Sequence, residues 1–167
     1  MQMTVLEADI TTLPVDAVVN AANSAMRGGG GVDGAIHRAA GPSLLQECVR
    51  RFPDGLPTGS AGWTGAGAMP SRWVIHVVGP DRRAGQTDPE LLASCYREAL
   101  RVADELGATS VAFPMVSAGV YGWDPAQASR VAVRALRETS THVGKVCLVA
   151  FDADAARTWR DALAGDG

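Results

Sequence analysis

VDAVVN at 15–20, AANSAMR at 21–27, GGGG at 28–31 and VDGAIHRAAG at 32–41 form one continuous stretch from which the fold can be read. A short β-branched run, Ala17 to Val19, leads into two amide side chains, Asn20 and Asn23. Four glycines follow, then a helix-like segment carrying Asp33 and His37. The order is strand, polar turn, bare-backbone loop, helix. Glycines lacking Cβ let another molecule approach the main chain. A helix opening directly after them offers unpaired N–H groups and the positive end of its dipole, an arrangement suited to phosphate. A flexible linker is the common use of a glycine run, but here Asn, Asn and Asp flank it instead of serines. No G-K-[ST] follows, so the P-loop signature is absent. Residues 29–34 do fit G-x-G-x-x-G, with Asp54 near the spacing of a ribose-binding acid. Seven residues, 21–27, separate strand from glycines, however, where a dinucleotide fingerprint needs a tight turn. Asp54 also lies in the turn FPDGLP.

The rest of the composition is that of an ordinary globular chain. Its 167 residues are enough for one sizeable core and short for two domains, so a single domain over 1–167 is expected. With 47% hydrophobic and 20% charged residues, disorder is excluded. The net charge of −3, with no Lys/Arg block, argues against strong nonspecific nucleic-acid binding. Cys48, Cys95 and Cys147 are odd in number and lack C-x-x-C spacing, which speaks against a disulfide framework or zinc ribbon and for small core hydrophobes. The N-terminus has no signal-peptide pattern and no apolar run approaches membrane-spanning length, so a cytoplasmic protein with no membrane partner is expected.

Along the chain, strand and helix patterns alternate. Val5 and Leu6 begin a strand ending at residues 7–10, placing Asp9 at a strand end, where ligands of α/β sheets sit; an Asx-turn before Thr11 and Thr12 accounts for the same residue. Val32 to Ala40 is helical, Pro42 closes it, and a second helix spans about 43–51. Asp33 and His37, four apart, share a helix face; dipole preference alone explains Asp33 in the first turn, and a packed ring explains His37. Residues 52–70 read as loop and irregular edge strand. Strands follow at 73–78, with His76 a hydrogen-bonded core residue, at 111–114 and at 145–151. Helices start at Asp88-Pro89, at Asp124-Pro125 and after Asp152. The second of these strands delivers another small-residue loop, Ser117 to Gly122. Two such loops at neighbouring strand ends can grip a diphosphate from both sides. The alternation implies an α/β fold of three layers, α/β/α, around a mixed, mostly parallel central sheet.

NAAN at 20–23 and GGGGVDGAIHRAAGP at 28–42 resemble the first signature of the macrodomain family, and specifically its MacroD-type ADP-ribosylhydrolases. VIHVVGP at 74–80 and FPMVSAGVYGW at 113–123 are similar to two further family blocks. With EADITTLPVDAVV at 7–19 and VCLVAFD at 146–152, the resemblance covers nearly the whole chain. It implies a three-layer macrodomain that binds ADP-ribose. Asp9 would accept from the adenine amino group beside the Ile10 N–H, and Phe151 would face the adenine. Gly28, Gly29, Gly30, Gly31 and Val32, with Ser117, Ala118, Gly119, Val120 and Tyr121, would hold the diphosphate. Among the catalytic candidates, Asn20 would shape the loop, Asn23 would hold the distal ribose, and Asp33 would orient that ribose or activate water, with His37 beside it. The resemblance implies removal of mono-ADP-ribose from modified proteins, acidic side-chain esters foremost, and deacetylation of O-acetyl-ADP-ribose. ADP-ribosylated nucleic-acid ends are a further partner class, and a monomer is expected. No metal site and no cofactor are expected. A reader module that binds ADP-ribose without cleaving it is the alternative from a different class, and a Rossmann-type NAD enzyme a third. Trp123, where the family often carries Tyr or Phe, and the shortened segment Leu56 to Gly59 are expected at the cleft's mouth.

Overall fold

A computed structural model of the chain describes residues 1–165; the last two positions of the domain expected over 1–167 lie outside the described residues. The elements run β1 (Gln2–Glu7), β2 (Ala17–Ala22), α1 (Gly31–Ala40), α2 (Pro42–Arg51), β3 (Ala61–Gly65), β4 (Trp73–Val78), α3 (Pro89–Leu106), β5 (Ser110–Phe113), α4 (Pro125–Glu138), β6 (Lys145–Ala150) and α5 (Ala153–Ala164). The strands form one sheet in the order β1-β6-β5-β2-β4-β3. Every neighbouring pair is parallel except β3 with β4.

Alternation along the strands sorts side chains into two cores, because successive residues of a strand point to opposite faces. Val18, Val74, Ala112 and Cys147 face one way and pack with Ile36, Ala40 and Leu44 of α1 and α2. Val19, Ile75, Val111, Phe113, Val146 and Leu148 face the other way and pack with α3, α4 and α5. The result is the three-layer α/β/α arrangement. Trp159 anchors α5 there, fully buried, its indole N–H donating to the Val149 carbonyl at 3.1 Å. All three cysteines are buried and unbridged. Among the described residues no helix is long and apolar enough to cross a membrane.

The topology also opens a crevice. From β5 the chain continues through α4 to β6 on one side; from β2 it continues through α1 and α2 to β3 and β4 on the other. Strand order thus reverses between β2 and β5, and ligands bind at such switch points beyond the strands' carboxyl ends. The pairing of β2 with β5 consists of Ala17↔Val111 and Val18↔Ala112, whereas β2 runs on to Ala22 along β4. The loops after β2 and β5 are the two glycine-bearing loops.

Several boundaries differ from the sequence reading. The first strand ends at Glu7, since Ile10–Thr12 is a 3-10 turn whose N-cap is Asp9. Pro42 begins α2 instead of separating two helices, its missing N–H costing nothing at a first helical position. Asp88 and Asp152 cap their helices through side-chain bonds to Glu90 N and Ala155 N, but Asp124 makes no side-chain cap bond.

Candidate functional site

The crevice is a cleft of about 1210 Å³. The structure brings to its wall Asp9 and Ile10 from the end of β1, and Asn23, Gly29, Gly30, Gly31, Val32 and Asp33 from the first loop and α1. Ser117, Ala118, Gly119, Val120 and Tyr121 come from the second loop, and Phe151 from the end of β6. Phe151 and Val120 are the most exposed of the large apolar side chains, at 87% and 74%. Three candidates stand behind the wall instead: Asn20, Gly28 and His37.

The geometry at Asp33 explains that division. Asp33 is buried in the first turn of α1. Its Oδ1 accepts from Asn20 Nδ2 at 2.8 Å and lies 3.4 Å from His37 Nε2, the residue one turn further on. Its Oδ2 lies on the side of Gly29, where a Cβ on that glycine would approach it to 3.3 Å. Asn20 is fully buried and reaches Asp33 from behind the cleft wall. The loop-shaping expected of Asn20 falls to Asn23, whose Nδ2 donates to Gly28 O and whose Oδ1 accepts from Met26 N. One donor hydrogen of Nδ2 and one lone pair of Oδ1 remain for a ligand. The His37 ring lies beneath Gly28, about 3.8 Å from where that residue's Cβ would be.

Gly30 caps α1 without a side chain, so no side-chain acceptor competes for the helix's first N–H groups. Arg27 fastens the segment before the glycines, its guanidinium donating to Ala25 O, Met26 O, Phe52 O and Pro53 O. Gly34 holds loop against helix: a Cβ there would meet Gly29 O at 2.6 Å. Backbone cannot yield as a flexible side chain does, so Gly34→Ala should displace the loop and cost about 1–3 kcal/mol, as other overpacked sites do. Thermal melting against wild type checks this, and an unchanged midpoint would show that the approach is not tight.

The second loop carries its own constraint. Ser117 adopts φ 67°, an uncommon conformation for a residue other than glycine. Its Oγ donates to Pro80 O at 2.8 Å, and Trp123 Nε1 donates to the same oxygen at 3.1 Å. The segment after β4 therefore holds the loop in its turned form, and Gly79 leaves room for the Ser117 side chain. Trp123 is consequently buried beneath the loop. The expectation that it shapes the mouth is corrected, because its indole N–H is drawn inward to a buried carbonyl. Leu56 to Gly59 also lie away from the cleft wall, tied to Ser24 O, Val78 O and Ser94 Oγ.

Electrostatics distinguish the two ends. Asp9 titrates below the usual carboxylate range because Thr11 donates both its hydroxyl and its N–H to Oδ1. The cap role and a free Oδ2 coexist in the one side chain. Tyr121 is pushed upward by burial, with Asp81 and Asp33 adding to it. Lining residues not anticipated from sequence include Gly79, Met115, Asp152, Asp154 and Thr158. The Asp152 cap signal marked that helix start, and nothing in the local sequence turns it toward the cleft.

Beneath the site, His76 is completely buried and its pKa is depressed to about 3, chiefly by desolvation and then by His37. An unfolded histidine takes its proton near 6.5. Between the two values the unfolded chain binds more protons, so stability falls as pH drops through that window and is fully present above it. At ~1.4 kcal/mol per unit, urea unfolding at about pH 5 should show ~2 kcal/mol less stability than at about pH 7. His76→Gln should lack this contribution; an identical slope in both proteins would mean that the ring is already charged when folded.

The macro domain family model matches residues 19–132. A macro domain-containing protein of Streptomyces nogalater is 52% identical over 161 residues, covering 94% of this chain and 89% of the relative. An O-acetyl-ADP-ribose deacetylase of Escherichia fergusonii is 46% identical over 169 residues, covering 98% and 96%. Among solved structures, a macrodomain variant from Oceanobacillus iheyensis with ADPR superposes with a TM-score of 0.88 at 38% identity, covering 96% of this chain and 91% of that one.

Proposed function

The chain belongs to the macro domain family, and from that premise we propose that it is a hydrolase of ADP-ribosyl linkages. It removes mono-ADP-ribose from modified proteins, acidic side-chain esters foremost, and deacetylates O-acetyl-ADP-ribose. The observation that carries this reading is the carboxylate that alone is buried in the cleft wall among the described residues: Asp33, with Oδ1 bound to Asn20 and Oδ2 on the side of Gly29. Burying a carboxylate is costly, and here Asn20 holds one of its oxygens while the other lies on the side of Gly29, as a positioned base requires. A general base gains orientation.

In this reading the adenine lies against Phe151, with Asp9 Oδ2 accepting from its amino group and the Ile10 N–H alongside. The diphosphate lies between the two loops and takes its hydrogen bonds from backbone N–H groups, with the α1 dipole favouring its charge. Asn23 uses its spare donor and acceptor on the distal ribose, while Asp33 orients that sugar or takes a proton from water attacking the ester. His37 and Asn20 act through Asp33, and the protein works as a monomer in the cytoplasm. The acyl group of O-acetyl-ADP-ribose and a protein carboxyl ester present the same bond type, which is why one site serves both.

A time course with a mono-ADP-ribosylated protein, in parallel with O-acetyl-ADP-ribose, tests the proposal. Release of ADP-ribose or acetate with turnover is expected. A protein that binds ADP-ribose and leaves both substrates intact is a reader. Including serine-linked ADP-ribose and ADP-ribosylated nucleic-acid ends in the same assay ranks the linkages.

A further inference from the structure

Behind Asp33 a chain of buried polar side chains crosses three strands. Thr64 on β3, His76 on β4 and Asn20 on β2 lie side by side on the face that carries α1 and α2, with Asn20 and His76 in direct register. Thr64 Oγ1 is 2.9 Å from His76 Nε2, His76 Nδ1 is 3.1 Å from Asn20 Nδ2, and Asn20 Nδ2 is 2.8 Å from Asp33 Oδ1. Thr64, His76 and Asn20 are all 1% exposed or less. The Phe52 ring stands edge-on to His76, and Cys48 Sγ is 4.0 Å from its Nε2.

The donor directions along this chain are fixed by its ends. Ionised Asp33 only accepts, so Asn20 must present its NH₂ to it; the flipped amide would set oxygen against carboxylate. The second hydrogen of that NH₂ faces His76 Nδ1, which must therefore carry a lone pair. The imidazole proton is then on Nε2 and is donated to Thr64 Oγ1, whose own hydrogen goes to Gly65 O at 2.9 Å. Every link runs one way, and only a neutral His76 with its proton on Nε2 fits.

We infer that Thr64 and His76 are positioning residues for Asp33: together they hold the Asn20 amide so that it binds one carboxylate oxygen and leaves the other toward the cleft. This rests on the hydrolase reading of Asp33 and deepens it. Without the Thr64 hydroxyl the Nε2 proton keeps only the long contact to Cys48 Sγ at 4.0 Å, a weak acceptor, and the ring is free to move its proton to Nδ1. That form drives the Asn20 oxygen to rotate toward the ring, with an acceptor then confronting Asp33.

Two measurements test the inference. The imidazole ¹⁵N spectrum of wild type should show His76 protonated at Nε2 and unprotonated at Nδ1; a proton on Nδ1 would overturn the relay. In T64V, nearly isosteric and lacking the hydroxyl, kcat should fall about tenfold with KM within about twofold, the lower range seen when outer hydrogen-bond partners of metal ligands are removed. T64S should restore both kcat and the wild-type spectrum. Full kcat in T64V, or loss in T64S equal to that in T64V, rejects the role. If wild type turns over no substrate, the hydrolase reading has failed but the relay is still decided: T64V should shift the Asp33 carboxyl ¹³C resonance, identified by its loss in D33A, and no shift rejects it.

Discussion

Asp33→Ala should lower turnover by about 10² to 10⁴, the range typical for loss of general-base assistance, with ADP-ribose affinity changed by only a few-fold. The asymmetry follows from position. Asp33 is one of many residues lining a long cleft and lies away from the end proposed for adenine, at Asp9 and Phe151, so most of the contact surface survives its removal. The bond proposed to react, in contrast, loses the buried carboxylate proposed to face it. The substitution also leaves one of the two Asn20 Nδ2 hydrogens without an acceptor inside the protein, the other staying on His76 Nδ1, at a cost of about 1–3 kcal/mol of stability. Assays should therefore run well below the melting point, with Asp33→Asn as a variant of similar shape. Single-turnover release of ADP-ribose, set beside calorimetric affinity, separates the two effects. Undiminished turnover in both variants would remove Asp33 from the chemistry.

Gly31→Glu should abolish binding while leaving the fold intact. A Cβ at Gly31 meets nothing within 4 Å, so the side chain has room. The residue's φ of 58° costs roughly 1–2 kcal/mol for an L side chain, partly offset because a carboxylate suits the first turn of a helix. What changes is the cleft. A negative charge enters the wall where a diphosphate is proposed to lie. Two like charges about 4 Å apart near a protein surface repel by roughly 4 kcal/mol, about a thousandfold in affinity. Calorimetry with ADP-ribose reads this directly. Near-native affinity in a folded Gly31→Glu protein would mean that phosphate does not lie against this loop.

The range of each interaction decides how much of it the sequence carries. The helices and buried strands were legible because their periodicity and caps are local: Asp88-Pro89 opens α3 and Gly107 ends it by the αL turn that glycine permits. The two glycine loops were legible as a pair because each follows a buried strand, and parallel strands put their carboxyl ends on one side. The bond from Asn20 to Asp33 has no signal in the sequence, because it is set by how α1 folds back over β2, which no spacing encodes. Thr64 gave no signal at all; its importance comes from the register of β3 on β4. Phe151 reads equally as the last residue of a buried strand, and only the strand's end at Ala150 turns it outward. Trp123 differs from the Tyr or Phe that the family often carries, and its inward orientation is set by Pro80 O, a partner 43 residues away that no local pattern marks.

The burial of Trp123 and Trp159, each with its indole N–H fixed to a main-chain carbonyl, has an optical consequence. Among the described residues no tryptophan borders the cleft; Trp63 lies under the Arg51 guanidinium, 3.8 Å away, on β3. Emission from Trp123 and Trp159 should be blue-shifted and should move to the red on loss of the native state, above a component from the half-buried Trp63 and Trp73, while a guest in the cleft touches none of the four directly. Titrations followed by fluorescence will need a chromophore carried by the guest.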